Sequence, residues 1–267
     1  MSVLEQMTPI GLDDMKAVRL MNRVDQKYMA SAMDLEPLLD RVAEGYYVQH
    51  VKGDPRSPYR TLYFDTADLA MYTMHHNRKL NRQKLRVRTY RSTNTTFFEI
   101  KNKDNKKRTK KVRIPVDAGM FDHVDEMPEV RDFVEANTPY TFSSHHALHS
   151  SLHACLENRF ERITLVDKGM RERVTIDCGI FFHNHATGID ADISHLMVIE
   201  VKHGAGAPMS EIERVLHEMH IPPRRMSKYC IGTALTDPGA KTNRFKPKLL
   251  YIEKLKYVEY GTRGIQF

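Results

Sequence analysis

Apolar and polar residues alternate one by one through several short stretches of this chain, the two-residue period of a half-buried β-strand. The strongest case is Lys84-Leu85-Arg86-Val87-Arg88-Thr89-Tyr90, answered after the polar break Ser92-Thr93-Asn94 by Phe97-Phe98-Glu99-Ile100-Lys101-Asn102-Lys103. Lys84, Arg86 and Arg88 fall on one face of the first strand, Leu85 and Val87 on the other. On the second, Glu99, Lys101 and Lys103 oppose Phe98 and Ile100. The pattern predicts a hairpin with one charged and one apolar side. Lys111-Val112-Arg113, residues 171–178 (with Arg173) and residues 196–202 (with Glu200 and Lys202) repeat it. Residues 46–51, 59–64 and 159–166 read as further strands, the last carrying Arg162.

Elsewhere the period lengthens to that of a helix. Leu35, Leu38, Leu39 and Val42 predict one capped by Asp34 and stopped by Gly45. Val130, Phe133 and Val134 predict another behind Pro128. Ile212, Val215, Leu216 and Met219 predict a third, ended by Pro222-Pro223. Asp65-Thr66 is a cap for a short helix through Leu69 and Tyr72, and residues 230–235 form a small-residue helix. A helix over about 143–156 would set His145, His149 and His153 at four-residue spacing. That spacing fits a metal, but without a matching Cys or carboxylate it is more often an ordinary surface. Gly53-Asp54-Pro55 with Ser57-Pro58 reads as a turn, and residues 104–108 and 183–185 as loops.

Several antiparallel strands with one cationic and one apolar face can close on themselves. Their charged sides then share a lumen, and their apolar sides pack under helices. The expected fold is therefore α+β: a closed antiparallel β-barrel tunnel of about eight strands with helices packed outside. One domain is expected over residues 1–240, with a basic extension over 241–267. A lumen lined by Arg and Lys calls for a polyanion, because enclosed like charges repel unless something neutralises them.

Charge distribution sharpens this. Between Arg78 and Arg113 fifteen Lys and Arg face two acids, a local +13 in a chain of net +7, so the remainder carries −6. A basic focus in an acidic background implies an anionic ligand at one place. Nucleic acid is the alternative partner, gripping the same patch as an outer surface. The 41% hydrophobic and 28% charged residues are those of a globular domain. No apolar run reaches membrane-spanning length, and the first residues resemble no signal peptide. Three scattered cysteines form neither a disulfide framework nor a metal pattern, so a cytoplasmic location is expected.

Many cations spread over successive strands suit a chain of phosphates. Arg grips phosphate oxygens with a two-pronged fork, and Lys supplies point charges. Phosphoryl transfer also uses a divalent metal, which needs carboxylates among the cations; Glu200 and Glu99, each in a Glu-x-Lys pair, are the candidates. No Walker loop, catalytic triad order or activated cysteine is present.

The ordered series Arg23-x-Asp25-x-Lys27-Tyr28, Leu62-Tyr63-Phe64-Asp65-Thr66, Lys84-x-Arg86-x-Arg88-x-Tyr90, Glu99-x-Lys101, Lys111-x-Arg113, Phe160-x-Arg162, Arg173-x-Thr175-x-Asp177, Glu200-x-Lys202 and Ser227-Lys228-Tyr229 resembles the VTC domain. That is the polyphosphate polymerase module of the triphosphate tunnel metalloenzymes, and the likeness spans roughly residues 20–235. It implies a tunnel in which Lys27, Arg86, Arg88, Lys101, Lys111, Arg162, Arg173, Lys202 and Lys228 contact phosphates with help from Ser227. Arg113 joins them by its place on the charged face. Glu200 would hold Mn2+ or Mg2+, with Glu99 as a second carboxylate. The implied reaction moves the γ-phosphate of a nucleoside triphosphate onto a polyphosphate chain. Hydrolysis of tripolyphosphate or nucleotide is the alternative reaction, and non-enzymatic binding of polyphosphate or nucleic acid the alternative class. Asp25 replaces the family's usual Glu, Phe160 its usual Tyr, and His75, Arg78 and Arg82 compete for one upstream basic position.

Overall fold

The computed structural model describes residues 2–17, 23–106, 108–138 and 152–258. Its strands are β1 (Pro9–Ile10), β2 (Arg23–Ser31), β3 (Tyr46–Gln49), β4 (Arg56–Thr66), β5 (Arg82–Tyr90), β6 (Thr95–Lys103), β7 (Thr109–Val116), β8 (Leu152–Asp167), β9 (Glu172–Asn184), β10 (Asp190–Asp192) and β11 (Leu196–Gly204). Its α-helices are α1 (Val3–Gln6), α2 (Leu35–Val42), α3 (Ala70–His76), α4 (Pro128–Asn137), α5 (Glu211–Glu218), α6 (Lys228–Thr236) and α7 (Lys246–Val258). The fold is α+β, as expected. Eight strands form one antiparallel path in the order β2-β11-β9-β8-β4-β5-β6-β7, while β1, β3 and β10 pair at its margins.

The path does not close into a hydrogen-bonded barrel. Among the described residues β2 and β7 end it unpaired with each other. Both edge regions bring cations to the gap between them. Burial, with neighbouring cations adding to it, pushes Lys84 of β5 and Lys101 of β6 down to about 8 on that side of the gap, and Lys27 of β2 stands among the same cations.

The alternation seen in the sequence sorts the side chains as expected. Leu85, Val87, Phe98 and Ile100 are buried on the outer face, under Val130 and Val134 of α4. Ile163, Leu165, Ile176, Ile199 and Val201 pack under Leu38 and Leu39 of α2 and Ile212 and Leu216 of α5. Each such side chain taken fully out of water contributes roughly 1.5–3 kcal/mol.

Several boundaries differ from the sequence reading. Ser57 and Pro58, expected in a turn, begin β4. Pairing of β4 with β5 starts one residue later, at Tyr59 opposite Tyr90, so the missing N–H of Pro58 costs no bond to that neighbour. Asp34 makes no side-chain cap bond; Ser31 accepts from the Met33 N–H instead and starts a 3₁₀ turn that runs into α2. The expected helix over 143–156 lies largely outside the described residues, as do His145 and His149. From Leu152 the chain is strand β8, which carries His153. His183 and Asn184 extend β9 rather than forming a loop. Gly179 at φ +59° sits beside the register break near Arg159, a conformation with little penalty only for glycine.

Asp65 and Thr66 do cap α3, but from a distance. The buried Asp65 carboxylate accepts the N–H groups of Met71 and Tyr72 at 2.9 Å each and the hydroxyl of Tyr229, and Thr66 Oγ1 accepts from Ala70. One carboxylate thus ties β4 to α3 and α6.

Helix α6 lies against the charged side of the sheet, where that side turns apolar. Val198 precedes Glu200 by two residues on the same strand, Met29 follows Lys27 by two and Phe160 precedes Arg162 by two. All three join Tyr229, Cys230 and Ile231 in one buried cluster. Ile252 and Leu255 of α7 complete it. Gly232 permits the close approach, since a Cβ there would meet Phe182 at 2.5 Å and Leu156 at 2.6 Å. Both rings and branches are fully buried and have nowhere to move. Gly232→Ala should therefore destabilise the protein by about 1–2 kcal/mol, overpacking outweighing the better helix propensity. Urea denaturation checks this; a variant as stable as the parent, or more so, would show that α6 is not seated so tightly.

Candidate active site: a cationic lumen with three clasped carboxylates

One face each of β2, β11, β9, β8, β4, β5, β6 and β7, charged on all but β4, borders two cavities. The larger, about 680 Å³, is walled by Arg88, Lys111, Arg113, Arg162, Arg173 and Lys202 together with Tyr59, Tyr90 and Phe97. The smaller, about 260 Å³, takes Lys27 from β2 and Lys84, Lys101 and Lys103 from β5 and β6, and it ends on Ser227. Its walls therefore stand on either side of the seam where the sheet fails to close. Lys27 of the smaller cavity and Lys202 of the larger both grip Glu200, so that carboxylate stands where the two meet.

Three acids hold this assembly together. Glu200 accepts from Lys27 and, at 2.5 Å, from Lys202. Glu99 accepts from Arg86 at 2.6–2.7 Å and pairs with Lys111. Asp177 takes a two-pronged bond from Arg162 at 2.6 and 2.9 Å and a further one from Lys228 of α6. Register explains the pairs: Lys27 lies opposite Glu200, Arg86 opposite Glu99 and Arg162 opposite Asp177 on neighbouring strands. Burial disfavours ionisation of all three, but the clasping cations outweigh it. Glu99 is held at about 2, and Asp177 and Glu200 lie well below the usual carboxylate range.

The cations feel the opposite pressure. Burial, then mutual repulsion, pushes Lys84 and Lys101 down to about 8. Lys202 also falls to about 8, burial again leading, with Glu200 opposing and Arg162 and Lys27 adding to the fall. Lys101 stays accessible to water although protein surrounds it, the condition of a residue lining an open channel. Arg88, only 7% exposed, donates to Thr61 at 3.0 Å and sits 5.6 Å from the Tyr59 ring centre.

Of the thirteen residues singled out from the sequence, Lys27, Arg88, Lys101, Lys111, Arg113, Arg162, Arg173, Lys202 and Ser227 line the two cavities, while Arg86, Glu99, Glu200 and Lys228 are joined to that set through the three clasped carboxylates. Of the three competitors for the upstream position, His75 and Arg82 line the smaller cavity. Burial, and then Lys84 and Arg82, push His75 down to about 2, so it is neutral. Two participants were missed. Lys84 donates to Ser227 Oγ at 2.7 Å, and its place two residues before Arg86 was the available signal. Asp177 shares a strand face with Arg173 and Thr175 and so could have been picked by the same rule.

A divalent cation suits this donor set in one specific way. Among the described residues no three His, Cys, Asp or Glu side chains group as ligands. Mg2+ and Mn2+ need not be caged by protein; one or two carboxylates suffice where phosphate oxygens and water complete the shell. An ionised Glu200 amid clustered cations fits that pattern. Among the described residues no helix is long and apolar enough to cross a membrane.

No curated protein matches the chain. Among solved structures, a Hippeastrum protein named as a candidate adenylyl cyclase, and described as having a dominant triphosphatase activity, superposes with a TM-score of 0.53 at 14% identity. That match covers 81% of this chain and 97% of the other, and it is a likeness of fold. A Vibrio parahaemolyticus protein named as a candidate adenylate cyclase gives 0.45 at 10% identity over 80% and 99% of the two chains. A Pyrococcus horikoshii protein gives 0.42 at 13% over 78% and 97%. The model of one protein family, the VTC domain, matches residues 22–236, about four-fifths of the sequence and every strand that lines the lumen. This chain belongs to the VTC domain family.

Proposed function

We propose that the protein is a metal-dependent polyphosphate polymerase working in its cationic lumen. The terminal oxygen of a polyphosphate chain bonds to the γ-phosphorus of a nucleoside triphosphate, and the bond from that phosphorus to the β–γ bridging oxygen breaks. The nucleoside diphosphate leaves with the bridging oxygen, and the chain is one phosphate longer. The observation that carries this reading is the convergence of cations from separate strands along two joined cavities, more positive charge than one carboxylate or phosphate would need.

Arg86, Arg88, Arg162 and Arg173 would grip non-bridging oxygens, and Lys27, Lys101, Lys111, Lys202 and Lys228 would neutralise the chain along its length. Arg113 and Ser227 would add contacts at the two ends. Glu200, with Glu99 as the second carboxylate, would hold Mn2+ or Mg2+. When bound, that ion would supply positive charge to offset the negative charge developing on the phosphate oxygens. Because the cations are fixed before substrate arrives, little reorganisation accompanies the transfer. Hydrolysis of a triphosphate is a second reading, favoured by the triphosphatase activity described for the Hippeastrum protein of similar fold. It differs only in the acceptor, water in place of a phosphate chain.

Incubation with ATP and Mn2+ or Mg2+, with products resolved by length, separates the two. A ladder of chains is expected; orthophosphate alone would mean hydrolysis, and unchanged ATP would sink both readings. Arg88→Ala should lower turnover by about a hundredfold or more while keeping the fold, since this guanidinium is crowded by Arg86 and Arg162 before any ligand arrives. Glu200→Gln should remove the metal response and leave phosphate binding measurable; an unaltered metal titration would take Glu200 out of the site.

Lysines held at about 8 make a prediction about protons. In the free protein at pH 8.5, Lys84, Lys101 and Lys202 are largely neutral, and a phosphate chain favours their charged form. Tripolyphosphate should therefore bind with net proton uptake and weaken as pH rises above 8. Calorimetry in two buffers of different ionisation enthalpy measures the uptake; a value of zero would place these ammonium groups away from the ligand. In the free protein the sign reverses. Between about pH 8 and 10.4 the unfolded chain holds more protons on these lysines than the native one, so their contribution makes stability rise with pH across that window.

A further inference from the structure

The two cavities differ in more than size. Along the rim of the larger one four aromatic rings touch in sequence across four adjacent strands. Phe160 stacks on Tyr59 with centres 5.1 Å apart, Tyr59 meets Tyr90 edge-on at 5.0 Å, and Tyr90 meets Phe97 at 6.1 Å. The inner end of this row is already occupied: Phe160 is buried, with Lys228 and Arg162 over it. The outer end is more open to the cavity. Tyr90 and Phe97 are half-buried, and both line the cavity. Arg113 lies 4.1 Å above the Phe97 ring, a flat cation on a flat ring. Rings left half-open beside phosphate-binding arginines are not needed to finish a core, since Phe98 and its neighbours complete that on the other face of the strand.

The smaller cavity has no such row. Its two rings, His75 and Phe245, are turned into the aromatic cluster of Tyr72 and His76. What it presents along β5, β6 and β2 is mainly lysine and arginine (Lys27, Arg82, Lys84, Lys101 and Lys103), with Gln83 and the single acid Asp25 among them.

We propose that Tyr90 and Phe97, braced by Tyr59 and topped by Arg113, form the seat for the nucleoside end of a nucleoside triphosphate. The triphosphate then runs inward past Glu200, and the inorganic chain leaves through the lysine-lined seam between β2 and β7. The proposal rests on the phosphate-tunnel reading and adds a direction to it. The chemistry is that of single-nucleotide recognition: a base has a π-face that stacks on aromatic rings and guanidinium planes whatever its identity. Spacing agrees, because Tyr90 lies two residues beyond Arg88 on one strand face, about 7 Å outward. An all-phosphate chain gains nothing from rings, and a lysine-lined opening suits it.

The test compares two ligands that share a triphosphate and differ in the nucleoside. Affinities for ATP and for inorganic tripolyphosphate are measured on the parent protein, Tyr90→Ala and Phe97→Leu. Loss of one stacking partner should weaken ATP about tenfold. Tripolyphosphate should shift by less than about twofold. Phe97→Leu keeps an apolar side chain, so it guards against a Tyr90→Ala variant that merely folds poorly. Equal weakening of both ligands, or no weakening of ATP, would overturn the nucleoside seat. Arg86→Ala separates this from failure of the underlying reading. If parent protein binds neither ligand, or Arg86→Ala binds both as well as the parent, the phosphate tunnel falls and the seat with it. If Arg86→Ala loses both ligands while the ring variants leave ATP unchanged, only the seat falls.

Discussion

Enclosing this many like charges is the constraint to which the rest of the molecule answers. Cations from seven strands and one helix are drawn into one lumen, and burial alone would drive protons off the lysines. Three carboxylates make the arrangement possible. Glu99, Asp177 and Glu200 each sit between two cations that come from different strands or from α6. They keep the site charged without saturating it, since burial still holds Lys84 and Lys202 down at about 8, where an anion can draw a proton onto them. Such pairs add little net stability, because desolvation offsets their attraction. Their role is positional: they fix where the clasped ammonium and guanidinium groups stand.

Stability comes from the other side of the sheet. The same alternation that aims Arg86 and Lys202 inward aims Val87 and Val201 outward, into clusters under α2, α4 and α5. Fold and site are thus two faces of one pattern, and a one-residue slip of any strand would exchange them. At one end the inner face turns apolar and receives α6, which is fastened through Asp65 and made possible by Gly232. That helix delivers Ser227 and Lys228 to the lumen, so a packing arrangement outside the strands completes the site.

Membership of the VTC domain family accords with this geometry, and the open seam gives it a particular form. Among the described residues β2 and β7 end the sheet unpaired with each other, and the smaller cavity has walls from β2 on one side and from β5 and β6 on the other.

Much of this was legible in the sequence because strand side chains alternate by geometry alone. The parity of Lys84, Arg86, Arg88, Glu99, Lys101, Arg173, Glu200 and Lys202 fixed which residues share a face, and the shared sign of their charge implied an anionic ligand. Parity cannot say which strands are neighbours. The clasping of Asp177 by Arg162 and Lys228 joins residues up to fifty-one positions apart and exists only once β8, β9 and α6 are placed. Nor could it say whether the sheet closes, because closure depends on how two edge strands far apart in the chain are placed in space, which local pattern does not register. The aromatic row from Phe160 to Phe97 was hidden for the same reason: its rings are scattered over four strands, and only their lateral order in the sheet brings them into contact.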